Sequence, residues 1–133
     1  MKRYLVGSCA AIAVALALGT TTLAHHSFAA TYLEDQSVTI EGEIVQFLLR
    51  NPHSFVHVMV KDQSGALNRY VVEWGSPAQL SGKVSRDTLK PGDHVIISGN
   101  PGRNAADHRV RLLTFKRPKD GWSWGILDSE RFD

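Results

Sequence analysis

Five runs of alternating apolar and polar residues, with one helix start between the third and fourth, predict an all-β fold. Three strands, a short helix and two further strands is the element order of an OB-like five-stranded barrel. Closure favours the barrel over a small open sandwich, because valine-rich strands would otherwise leave exposed edges.

The first strand is expected over about 37–50. Val38, Ile40, Gly42 and Ile44 share one face, then Val45, Phe47 and Leu49 share the other. Such a phase change marks a bulge, with Gly42 as a bend. Arg50-Asn51-Pro52-His53 is a corner, since Pro52 lacks an N–H and drives Asn51 towards extended backbone. The second strand, about 54–61, sets Val56, Val58 and Val60 against Phe55, His57, Met59 and Lys61. Asp62-Gln63-Ser64-Gly65 turns the chain into a third strand at about 68–74, with Tyr70, Val72 and Trp74 opposite Val71 and Glu73.

Ser76-Pro77 begins the short helix, Ser as cap and Pro in the first turn, ending near Gly82. Lys90-Pro91-Gly92-Asp93 is a tight turn into a fourth strand, about 93–98. Gly99 to Asn104 has the composition of a mobile loop, and the fifth strand is expected over about 108–116. Trp122-Ser123-Trp124 is a short closing strand, and His25 to Gln36 an arm. Val56, Val58, Val60, Ile96 and Leu112 are the expected core.

Residues 1–24 read as an export signal: Lys2 and Arg3, an uncharged run from Leu5 to Leu18, and a polar exit ending Thr22-Leu23-Ala24. The run is shorter than the roughly 20 residues a spanning helix needs. Cys9 precedes most of it, which discounts a lipid-anchored form. The expected mature chain, 25–133, is one OB-like domain, periplasmic or secreted, with no membrane contact after cleavage. Of 15 basic side chains it loses two, leaving 13 against 13 acidic. That balance argues against a nucleic-acid partner, whose affinity comes from neutralised phosphates. Cys9 is the only cysteine in the chain, so the mature domain folds without disulfides.

His25-His26-Ser27-Phe28-Ala29-Ala30, Asn51-Pro52-His53, Glu73-Trp74-Gly75-Ser76-Pro77 and Ser85 to Asp93 follow one another in an order that resembles a known family. It is a family of small exported bacterial proteins defined only by a domain of unknown function. The resemblance spans nearly the whole mature chain and implies export and one β-rich domain; it supplies no activity and no catalytic residues. The chain departs from the family pattern at Lys83-Val84, where the pattern has a tryptophan.

Cleavage after Ala24 would leave His25 at the amino terminus. Its amine and its own imidazole can close a chelate ring on one metal ion, and a third nitrogen would complete a T-shaped copper site, a histidine brace. Such donors suit Cu(II), Ni(II) and Zn(II), with copper heading the series. The amine titrates near 8 and imidazole near 6.5, so protons compete weakly at neutral pH. His26 offers another donor; His53 and His108, on loops flanking the usual OB binding surface, are the distant partners. His94 reads as structural. His57 and Met59, with Phe55 and Trp74 nearby, are faintly similar to periplasmic OB-fold copper chaperones, but an amphipathic strand explains them better.

Phe55, Tyr70, Trp74, Trp122 and Trp124 offer an aromatic face for sugar or protein, or else seal the core. Ser27, Ser54 and Ser76 lack a nucleophile motif, and Glu41 and Glu43 solvate the first strand, so hydrolysis is not expected. The expected protein is a binding module for a copper-type ion, with His25, His26, His53 and His108 as candidate ligands and another exported protein as a candidate partner. The alternative is a metal-free carbohydrate- or protein-binding module; a copper-dependent oxidase ranks third and would need an open coordination position.

Overall fold

A computed structural model describes residues 27–125 of the chain, so the expected signal segment, His25 and His26 lie outside the described residues. The strands are β1 (Val38–Leu48), β2 (Ser54–Lys61), β3 (Leu67–Trp74), β4 (His94–Pro101), β5 (Arg109–Arg117) and β6 (Trp122–Gly125). Among the described residues one short α-helix, α1 (Pro77–Leu80), lies between β3 and β4. Sheet order is β3-β2-β1-β4-β5-β6, and β3 also pairs with β5 in parallel, Val71 against Arg109 and Glu73 against Arg111. That pairing closes five strands into the OB-like barrel expected from the sequence, with β6 added along β5. Among the described residues no helix is long and apolar enough to cross a membrane.

Local chemistry explains most boundaries. Ser76 and Gln79 form a reciprocal capping box at α1, with Pro77 opening the helix. In β1 the register shifts between Ile44 and Gln46, making Val45 the extra residue of a bulge. Val45 is 39% exposed, and does not share the inward face with Phe47 as the alternation suggested. The bulge instead lets both Ile44 and Phe47 pack on the core. Gly42 allows β1 and β2 to close up, because a Cβ there would lie 2.1 Å from the Met59 carbonyl oxygen.

Two expectations about β4 are corrected. Gly99, Asn100 and Pro101 are not a mobile loop: they continue β4, paired with Leu112, Arg111 and Val110. A register shift at Ser98/Gly99 absorbs the irregularity, and a Cβ on Gly99 would lie 2.0 Å from the Arg111 carbonyl oxygen. The Asn100 amide is buried and donates to the Gln36 carbonyl at 2.8 Å. Pairing with a long β5 thus overrides turn-like composition. Ile96 is only half-buried, while Val95 and Ile97 are fully enclosed. Val95-Ile96-Ile97 has no alternation of its own to set the phase.

An anchor at the start of β4 sets it instead. Asp93 is buried and accepts from the Lys90 backbone N–H and from Arg117 Nη1, both at 3.0 Å, and from Lys119 Nζ. Burial pushes its carboxyl up, but Lys119, the Lys90 N–H and Arg117 outweigh that and hold it below the ordinary carboxylate range. Inside the barrel Val56, Val58 and Leu112 are buried as expected, and Val60 is half-buried against the same core. Val84, at the departure from the family pattern, is also a core residue.

Candidate metal centre

Alternation along β3 points Tyr70, Val72 and Trp74 inward and Val71 and Glu73 outward. Glu73 is nonetheless only 7% exposed. The N-terminal arm covers it. After a 3-10 turn at Phe28–Ala30, Tyr32 bridges to Gly102 and the Leu33 N–H donates to the Pro101 carbonyl at 2.9 Å. Arg103 ties the arm down twice, through its backbone N–H to the Thr31 carbonyl at 2.9 Å and its Nε to the Ala29 carbonyl at 2.7 Å.

Beneath the arm a polar network converges on the Glu73 carboxylate. The fully buried Tyr32 hydroxyl donates to Oε2 at 2.5 Å, and Arg109 Nη2 donates to the same oxygen at 3.2 Å. His53 Nδ1 is hydrogen-bonded to Oε1. Burial, then the hydrogen bond to Glu73, pushes the Tyr32 phenol far up, so it stays a proton donor. Burial lowers Arg109, but Tyr32 and Glu73 outweigh it and hold the guanidinium above its usual value.

A second layer closes over His53. The Phe28 ring stacks on its imidazole with centroids 5.4 Å apart, and the Arg111 guanidinium lies 3.7 Å from the Phe28 centroid. Arg111 Nη1 in turn pairs with Glu34 Oε1 at 2.6 Å. Because an ionised carboxylate only accepts, the bond to Glu73 is donated by Nδ1–H, the tautomer in which Nε2 carries the lone pair. The His53 side chain is 31% exposed, and its Nε2 has no hydrogen-bond partner among the described residues.

The other candidates are placed elsewhere. His108 ends the 3-10 turn Ala105–Asp107 and stacks on Tyr70 with centroids 4.9 Å apart. Tyr70 and Glu73 occupy opposite faces of β3, so His108 is not brought to His53. His25 and His26 lie outside the described residues. Among the described residues no three His, Cys, Asp or Glu side chains group to hold a metal ion. His94 pairs with Glu41 at 2.8 Å on the exposed surface.

His57 accepts from Arg69 Nε at 3.1 Å. Burial first, then the charges of Arg69 and Arg50, hold its imidazole below the usual range. His57 and Met59 face outward while Trp74 faces the core, so they do not form one cluster. Trp74 stacks on Phe115 at 5.6 Å and meets Trp124 edge-on at 5.1 Å, with Trp122 edge-on to Phe115 at 5.4 Å. The tryptophans of the expected aromatic face therefore seal the barrel.

A family model described as a family of unknown function, DUF6152, matches residues 13–111. The protein is a DUF6152 member. No curated protein and no solved structure matches the chain. The span shared with DUF6152 contains the arm, His53, Glu73, Arg109 and Arg111, so the whole network lies within the family region of the chain. Sequence reasoning singled out His53 in this DUF6152 protein but missed Glu73, Tyr32, Arg109 and Arg111. Two signals were available: a carboxylate inside the apolar run Val71-Val72-Glu73-Trp74, and a lone tyrosine in a polar arm.

Proposed function

We propose that this protein is an exported binding module that holds a copper-type ion between its processed amino terminus and His53. The observation that carries the reading is the hydrogen bond from His53 Nδ1 to the buried Glu73 carboxylate. A histidine that ligates a metal through one nitrogen characteristically donates the other N–H to a carboxylate, which orients the ring and raises its basicity. Glu73 is itself held by Tyr32 and Arg109, so the acceptor is rigid before any metal arrives.

The arm supplies the second support. Phe28 rests on the His53 ring, and His25 is three residues upstream, a span of at most about 10 Å in extended backbone. Cleavage after Ala24 would therefore bring a free amine and the His25 imidazole within reach of His53 Nε2. Those three nitrogens suit Cu(II) above the other divalent first-row ions. His26 is the further donor for an alternative geometry. Below neutral pH, protons compete for the same nitrogens and affinity falls.

Cu(II) titration of the mature protein, His53→Ala, Glu73→Gln and Tyr32→Phe tests the reading. His53→Ala and Glu73→Gln are expected to weaken binding, the latter by about 10–100-fold, the usual effect of losing an outer-shell partner. Tyr32→Phe removes a hydrogen bond from the same carboxylate without touching His53, so it should lower the melting temperature and weaken binding less than Glu73→Gln does. Equal affinity in His53→Ala and the unaltered protein would reject His53 as a ligand.

A further inference from the structure

A cleft of about 430 Å³ opens on the other side of β3 from His53, at the barrel mouth between the arm, the start of β1 and the loop before β5. The volume lies within the range of small-molecule sites. Its floor is apolar, from Val38, Ile40, Tyr70 and Val110, and Gln36, Arg103 and His108 stand among its polar lining. No Asp or Glu lines it, while three cationic or imidazole side chains do: Arg103, Arg109 and His108. The Arg109 guanidinium is engaged by Glu73. Arg103 is held at the arm by Nε and has no carboxylate partner among the described residues.

His108 is the residue that points to a ligand. Its φ is 46°, in the left-handed region where glycine would sit at lower cost. Backbone in this region persists at functional positions when the surroundings enforce it. Here the ring lies flat on Tyr70, which fixes its plane, and its nitrogens have no hydrogen-bond partner among the described residues.

We propose that this cleft binds a small carboxylate with an apolar tail. The tail lies on Val38, Ile40 and Val110, and the carboxylate accepts from the His108 imidazole N–H and from the Arg103 guanidinium. Charge complementarity selects the head group: an acceptor-only anion satisfies two donors in a lining with no competing carboxylate. The site does not depend on the copper reading, since it shares no ligand with the terminus or His53.

Calorimetric titration of the metal-free mature protein with octanoate and octanamide tests this. Octanoate should bind, with octanamide weaker by about tenfold or more, since hydrogen bonds to charged groups exceed neutral ones. His108→Gly suits its backbone position, so its melting temperature should be unchanged or raised while octanoate affinity falls at least about fivefold. Arg103→Gln should also weaken octanoate, by a larger factor than octanamide. Equal binding of both compounds, binding of neither, or full octanoate affinity in both variants would overturn the proposal.

Discussion

Val58→Asp should abolish cooperative folding. Val58 is fully buried, paired with Ile44 on β1 and Tyr70 on β3, at the centre of the barrel wall. Among the described residues the core cluster around it is apolar, so the carboxylate would be buried without a partner or would have to bind a proton. An uncompensated buried charge costs about 3–5 kcal/mol, a large part of the roughly 5–15 kcal/mol that holds a domain folded. The described barrel has no disulfide to offset the loss, because Cys9 is the only cysteine in the chain. Met59→Asp, one residue on and facing outward, provides the comparison and should shift stability far less. Urea denaturation followed by tryptophan fluorescence separates them, since Trp74 is buried on Phe115 and Trp124 on Trp74. A cooperative transition in Val58→Asp close to that of the unaltered protein would contradict the assignment of the inner face.

One residue added ahead of His25 should weaken Cu(II) binding more than Glu73→Gln does. The extension turns the terminal amine into an amide, whose nitrogen has no available lone pair at neutral pH. The chelate ring closed with the His25 imidazole is then lost, a direct ligand where Glu73 is only an outer partner. The loss should therefore exceed the roughly 10–100-fold effect of an outer-shell change. Folding should not alter, because the arm is held from Phe28 onward by Tyr32, Arg103 and Asn100. Competition titrations against a chelator of known affinity, on mature and extended forms in one buffer, read the difference. Equal affinities would place the metal elsewhere or nowhere.

The barrel was legible because its evidence is local. Alternation in Ser54–Lys61, the Ser76-Pro77 helix start and the phase change in β1 each act within a few residues. Ile96 was misassigned because three aliphatic residues in succession carry no phase, and the buried Asp93 anchor that supplies it closes only with Arg117 and Lys119. Gly99 to Pro101 have turn chemistry, and only pairing with Leu112 to Val110 makes them strand. His53 was visible as a corner histidine. Its partner Glu73 was not, because a glutamate on the outer face of a strand is ordinarily solvated. It is buried here by an arm whose docking residue, Tyr32, lies 41 positions away in the chain. The same gap separated His108 from His53, since only the closed barrel shows that they stand on opposite sides of β3.

Electron paramagnetic resonance of the Cu(II)-loaded mature protein tests most directly whether the terminus and His53 share one ion. With histidine imidazoles labelled with ¹⁵N, the nitrogen couplings report which rings are bound. The shared site predicts one Cu(II) per chain, with couplings from the terminal amine and two imidazoles, one of which disappears in His53→Ala. A nitrogen pattern identical in the mature protein and in His53→Ala would contradict it.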